Sequence, residues 1–191
     1  MEEFEIKFLE VDVPELEKKL LTIGAKKVAD YDYRIMLFDY SDFRMDKNHA
    51  WLKLRTDGKE TTLSYKERIG VKNDVSIGKD DGMKEIEIVV DDFQKAYELI
   101  KSVGFVIKRE MTKKRTRYKK DKATFDIDFW PQIPPYIEIE ADSLENARKA
   151  AQEAGFDLEK GLICSASQVY MKYGFNPNDY SSMTSKEFIK K

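Results

Sequence analysis

The sequence predicts an α+β protein built on an eight-stranded antiparallel β-barrel, closed into a tunnel with a charged interior and with helices packed outside. Three observations predict it. Segment after segment alternates full charges with apolar residues, these segments follow one another at hairpin-like spacing, and the amphipathic helices between them need an apolar sheet face to cover. Closing such a sheet removes its edges.

The first strand is Glu3-Phe4-Glu5-Ile6-Lys7-Phe8. Side chains alternate across a strand, so Glu3, Glu5 and Lys7 share one face and Phe4, Ile6 and Phe8 the other. Asp12 and Pro14 open a helix through Leu16, Leu20 and Leu21, which Gly24 ends. Residues 26–40 read as a long strand carrying Tyr31, Tyr33, Ile35 and Leu37. Residues 51–56 and 61–68 form a hairpin around Asp57-Gly58. The stretch 69–82, with Gly70, Asn73, Gly78 and Gly82, reads as a mobile loop. A strand over 84–90 precedes a helix with Phe93, Tyr97 and Ile100 that stops at Gly104. Residues 105–119 and 123–129 make a second hairpin, and Pro134-Pro135 lead into a last strand over 136–141. Helices over 143–154 and 165–173 follow, the second placing Tyr170 and Tyr173 across a barrel end. One domain, residues 1–175, is expected, with a polar, serine-rich and loosely ordered tail over 176–191.

Strand phase then sorts the charges. Trp51, Lys53 and Arg55 share a face, with Leu52 and Leu54 opposite; Ser64 shares one with Lys66. Glu85 and Glu87 alternate with Ile86 and Ile88, and Lys113, Arg115 and Arg117 are in phase. Asp126 and Asp128 alternate with Phe125, Ile127 and Phe129, and Glu138 and Glu140 with Ile137 and Ile139. A solvated sheet face is usually richer in Ser, Thr and Gln. With helices on the apolar side, the charges must line the interior, where they are tolerable only if paired, hydrated or liganded. A polyanion with a divalent metal suits that lining: Lys and Arg hold phosphate oxygens, and carboxylates hold Mg2+ or Mn2+.

Composition narrows the chemistry. The net charge is −2, so no general polyanion-binding surface is present, and the basic run Lys113–Lys120 splits between two strand faces. Nucleic acid is therefore not an expected partner. One cysteine, Cys164, and one histidine, His49, exclude an internal disulfide and argue against a Cys/His zinc site. The acidic start lacks an apolar leader and no apolar run approaches a membrane span, so a cytoplasmic protein, monomer or homodimer, is expected.

Glu3-x-Glu5-x-Lys7 resembles the N-terminal ExExK motif of the CYTH superfamily, the triphosphate tunnel metalloenzymes. Lys53-x-Arg55, Lys66, Glu85-x-Glu87, Lys113-x-Arg115, Asp128 and Glu138-x-Glu140 follow in the family's order, and the resemblance spans about residues 1–175. It implies a tunnel open at both ends, with Glu3, Glu5, Asp128, Glu138 and Glu140 as metal ligands. Lys7, Lys53, Arg55, Lys66, Lys113, Arg115 and Arg117 become triphosphate contacts, and Glu3, Glu5, Lys7 and Lys66 the catalytic group. Lys53 stands where the family often has arginine and lacks its bidentate fork.

The implied reaction is metal-dependent hydrolysis of an inorganic or small organic triphosphate, without a covalent enzyme intermediate. Class IV adenylyl cyclases, which make cyclic AMP and pyrophosphate from ATP, are the alternative. The chain begins Met1-Glu2-Glu3 without the His-Phe pair common in those cyclases, and Trp51-Leu52-Lys53-Leu54-Arg55 is similar to a thiamine triphosphatase strand. Against that, Lys113-x-Arg115-x-x-Tyr118 and the spacing on to Asp128 and Glu138 match the cyclases. Non-catalytic binding of polyphosphate or nucleotide is the third reading.

Overall fold

The computed structural model describes residues 4–69 and 82–191. Glu3 and residues 70–81 of the predicted loop lie outside the described residues. The elements are β1 (Phe4–Phe8), α1 (Val13–Thr22), β2 (Lys26–Asp39), α2 (Arg44–Lys47), β3 (Ala50–Thr56), β4 (Thr61–Ile69), β5 (Gly82–Val90) and α3 (Phe93–Ser102). Then come β6 (Val106–Lys120), β7 (Ala123–Phe129), β8 (Tyr136–Ala141), α4 (Leu144–Glu153), α5 (Ala166–Lys172), β9 (Tyr180–Met183) and β10 (Phe188–Lys190).

The helices begin where the sequence supplies caps. Asp12 accepts the Glu15 N–H at 3.0 Å, Asp92 accepts the Lys95 N–H at 2.9 Å, and Ser165 and Gln168 form a reciprocal capping box on α5. Gly24 ends α1 at φ +87°, a conformation that favours glycine. The unpredicted α2 has a similar cause. Asp39 accepts from the N–H groups of Met45 (3.0 Å) and Asp46 (2.9 Å), turning the chain after β2.

Eight strands run in the order β1-β8-β7-β6-β2-β3-β4-β5, with antiparallel neighbours throughout. The result is a curled antiparallel sheet with helices outside, a half-barrel. β1 and β5 end the path, and no ladder among the described residues joins them. Leu162 supplies a reason on the β1 side. Its N–H donates to the Lys7 carbonyl at 2.9 Å and its carbonyl accepts the Lys7 N–H at 2.8 Å, so that edge is already taken. Gly161 lets the backbone come this close, since a Cβ there would lie 2.8 Å from the Ile6 side chain.

The outer face carries two apolar layers. Ile6, Phe8, Phe125, Ile127, Ile137 and Ile139 pack under α1 and α4, while Met36, Phe38 and Leu54 pack under Ala96 and Ile100 of α3. Each fully buried aliphatic side chain contributes roughly 1.5–3 kcal/mol, which fixes the sheet's facing and forces the alternate residues inward. A third cluster occupies the inner face at one end. There Ile35, Met111, Trp130, Tyr136 and Ile133 surround Val169 and Tyr170 of α5 and Met183 of β9. Tyr170 is fully buried and donates to the Pro131 carbonyl at 3.0 Å, filling that end.

The tail expected to be loosely ordered is instead structured. β9 pairs in parallel with β6 and antiparallel with β10. Phe188 meets Phe175 and Tyr180 at centroid distances of 5.6 and 5.5 Å, and the Ser185 N–H donates to Thr112 at 2.8 Å. The physical reason is that a few widely spaced aromatics find a preformed apolar floor, which outweighs the segment's mean polarity. Beneath it Arg109, 2% exposed, donates to Asn178 Oδ1 at 3.0 Å. No helix among the described residues is long and apolar enough to cross a membrane.

Candidate active site

Antiparallel partners share a face, so the strand register assembles the charges. Lys7 lies opposite Glu138, and Glu5 opposite Glu140. Glu138 lies opposite Asp126, which faces Arg117, and Asp128 faces Arg115. Across the middle of the sheet, Arg115 is opposite Tyr31 and Lys113 opposite Tyr33. Further on, Lys53 is opposite Ser64, Arg55 opposite Thr62, and the half-buried Trp51 opposite Lys66. Lys66 in turn faces Glu85. Glu5, Lys7, Lys53, Arg55, Lys66, Lys113, Arg115, Arg117, Asp128, Glu138 and Glu140 therefore share the inner face; Glu3 is outside the described residues.

On the wall formed by β1, β6, β7 and β8 the charges neutralise one another. Arg115 holds Asp128 with two bonds, Nε to Oδ1 at 2.5 Å and Nη2 to Oδ2 at 2.7 Å, and also reaches Asp126 and Glu138. Lys113 donates to Asp128 at 2.9 Å, and Arg117 grips Asp126 at 2.7 and 2.6 Å. Lys7, 1% exposed, pairs with Glu5 and with Glu138 at 3.3 Å. Burial alone would raise the Glu138 carboxyl, but Lys7, Arg115 and Lys113 outweigh it and hold the group well below the usual carboxylate range. Burial likewise opposes the charge on Lys7, and Glu138 and Glu5 prevail to raise its pKa.

The wall formed by β3, β4 and β5 is less complete. Lys66 reaches Glu85 at 2.6 Å, whereas Lys53 stands 3.8 Å from the same carboxylate and Arg55 3.6 Å from Glu87. Burial, reinforced by Lys66 and Arg55, lowers the Lys53 pKa to about 7 against the pull of Glu85 and Glu87. Aromatic rings join the two walls. Tyr31 and Tyr33 stack at 5.2 Å; Arg55 lies over Tyr33 at 4.9 Å, and Lys113 lies over Trp130 at 5.0 Å.

Among the described residues no three acidic, histidine or cysteine side chains are gathered tightly enough to hold a metal ion. The donor chemistry nevertheless fits a hard cation. Glu5 and Glu140 are carboxylates directly opposite on neighbouring strands, and Glu138 is in phase with Glu140 one position along the same face. Asp128 differs: it is fully buried, and both its oxygens are already held by Lys113 and Arg115.

Sequence reasoning did not select Asp126, Tyr31, Tyr33 or Trp130 for the site. Asp126 was legible as the in-phase neighbour of Asp128, and the two tyrosines as inner-face residues of a strand flanked by basic ones. Trp130 follows β7, and only the tertiary fold brings it to Lys113. The remaining nucleophile candidates stand apart from this chemistry. His49 is exposed in a turn at φ 56°, and Cys164 is buried, its thiol pushed up by burial.

Comparison with known proteins agrees with this fold. A putative adenylate cyclase from Vibrio parahaemolyticus superposes with a TM-score of 0.74 at 11% identity, over 90% of this chain and 98% of that one. The putative adenylyl cyclase HpAC1 from Hippeastrum, described as having a dominant triphosphatase activity, gives 0.63 at 16% identity over 91% and 96%. A protein from Pyrococcus horikoshii OT3 gives 0.67 at 23% identity over 86% and 96%. No curated protein matches the chain. The family model described as the CYTH domain matches residues 1–169, and the chain belongs to the CYTH domain family.

Proposed function

We propose that the chain is a divalent-metal-dependent triphosphatase, cytoplasmic in setting, that takes an inorganic or small organic triphosphate onto the inner face of its sheet. The observation that carries this reading is the pairing of two unlike walls. One is an acidic and basic lattice closed on itself, and the other presents Lys53, Arg55 and Lys66, with carboxylate contacts among the described residues that are loose at Lys53 and Arg55.

In this reading Lys53, Arg55 and Lys66 neutralise the non-bridging oxygens, and Lys113, Arg115 and Arg117 bound the opposite side. Glu5, Glu138 and Glu140, with Glu3, would hold Mg2+ or Mn2+, which when bound supplies charge neutralisation and a polarised oxygen. Asp128 becomes a positioning residue that fixes Lys113 and Arg115. Attack comes directly from water, because Cys164 stays a protonated thiol and His49 is exposed in a turn away from the inner face. Adenylyl cyclisation is the second reading, since structural neighbours of this fold are described as putative adenylate cyclases.

The test is turnover of tripolyphosphate, thiamine triphosphate and ATP, each with Mg2+ or Mn2+, scoring phosphate, pyrophosphate and cyclic AMP. Phosphate release from any of them is expected. Cyclic AMP with pyrophosphate would replace the first reading by the second, and no turnover with any substrate would remove both.

A further inference from the structure

Four buried side-chain groups have no hydrogen-bond partner among the described residues: Thr62 Oγ1, Ser64 Oγ, Trp130 Nε1 and Tyr136 OH. Two of them are neighbours on one face of one strand. Thr62 and Ser64 occupy alternate positions of β4, with 4% and 1% exposure. Register sets Thr62 beside Arg55 and Ser64 beside Lys53 on β3; on the other side Ser64 meets Glu87 of β5. The hydroxyls therefore sit on the inner face, inside the incomplete wall.

A buried hydroxyl without a partner is unfavourable, and a polar group kept in that condition calls for an explanation. Its surroundings supply one. Among the described residues, Lys53 has its nearest carboxylate oxygen 3.8 Å away, on a Glu85 that Lys66 holds at 2.6 Å. Arg55 has Glu87 at 3.6 Å. Among the described residues, then, Lys53 and Arg55 have long carboxylate contacts, and the two hydroxyls beside them lack a partner. Ammonium, guanidinium and hydroxyl groups all donate. The element that completes such a set is a group rich in acceptor oxygens and negative charge, and phosphoryl oxygens have that character.

We propose that Ser64 and Thr62 are substrate ligands, their hydroxyls donating to non-bridging phosphoryl oxygens in a subsite completed by Lys53 and Arg55. This rests on the triphosphate reading above and deepens it, because it gives neutral donors a task assigned there to charges alone. The hydroxyls bring direction where the flexible lysine brings only charge. A chain of phosphoryl groups lies along β4, with Thr62 and Ser64 spaced two residues apart to meet it. The subsite is a different part of the inner face from the acidic pair Glu5 and Glu140, so it binds phosphoryl oxygens without requiring the metal.

Ser64→Ala and Thr62→Val in the full chain test the assignment, by calorimetric binding of tripolyphosphate and by steady-state hydrolysis with Mg2+. Each variant is expected to weaken binding about tenfold, as loss of a hydrogen bond to a charged group does. The change should appear in Kd and KM, with kcat altered less than about threefold, and the melting temperature should stay level or rise because an unpartnered buried hydroxyl has been removed. Wild-type affinity in both variants would overturn the proposal, as would a loss confined to kcat. If the wild-type chain binds and hydrolyses tripolyphosphate while the variants match it, only this inference falls. If the wild-type chain binds no triphosphate, the functional reading falls with it.

Discussion

The wall on β6, β7 and β8 and the wall on β3, β4 and β5 carry similar residue types to opposite ends. In the first, one arginine engages three carboxylates and every partner is within hydrogen-bond reach. In the second, Lys53 has its nearest carboxylate among the described residues at 3.8 Å, and its pKa falls to about 7. Charges that satisfy one another make a frame, and charges left partly unsatisfied make a binding surface. Residue type alone does not separate the two cases; register and distance do.

The comparison breaks most visibly at Asp128. Removing one partner from a buried network leaves an uncompensated charge, so Asp128→Ala should lose about 3–5 kcal/mol of stability. Thermal denaturation should show a melting temperature lower by roughly 6–20 °C. A melting temperature within a degree or two of wild type would mean that the frame is not a frame. Glu5 is more exposed than Asp128 and pairs with Lys7. Glu5→Gln should therefore keep the fold and lose metal-dependent turnover, on the order of a hundredfold, about 2.7 kcal/mol in transition-state terms. Undiminished turnover would remove Glu5 from the ligand set.

Lys53 sharpens the contrast with a smaller effect of opposite sign. Its pKa is about 7 in the folded chain, against an ordinary value of 10.5. Between those pH values the unfolded chain keeps a proton that the folded chain has shed, so Lys53 makes stability rise with pH across that window. Lys53→Met should be as stable as wild type or more so near pH 7, and should lose that part of the pH slope in denaturant titrations. Binding moves the other way. Lys66 and Arg55 disfavour the Lys53 proton while Glu85 and Glu87 favour it. As pH rises through about 7 the ammonium is lost, and tripolyphosphate affinity should fall severalfold. Lys53→Arg should hold its affinity across the same range. Identical pH profiles for the wild type and Lys53→Arg would contradict this account.

Much of the architecture was legible because a strand's side-chain period is 2. Once Ile6, Phe125, Ile137 and Leu54 are assigned to one face, their charged neighbours have nowhere else to go. The helices were legible through their caps, Asp12 for α1 and Ser143 and Ser165 for α4 and α5. Pairing partners were not, because register is a long-range property. Nothing local to Arg115 says that it will take Asp128 on one neighbouring strand and Glu138 on the strand beyond. The tail misled for the opposite reason. Its composition is polar, and only the apolar floor built by α5 gives Tyr180 and Phe188 something to cover. Closure was expected from the hairpin order of the strands, their charged faces and the helices outside, and a bridge from Leu162 to Lys7, distant in sequence, was invisible at that level.

The Arg115 lattice has a consequence for how the interior responds to a migrating charge. Water around a phosphoryl group must reorient as negative charge moves from the attacking to the leaving oxygen, and that reorientation is a large part of the barrier. Side chains clamped by one another cannot follow in this way. Guanidinium and carboxylate groups locked across three strands act as a solvent already frozen in one polarisation, so in the proposed triphosphatase reaction little reorganisation energy would remain to be spent.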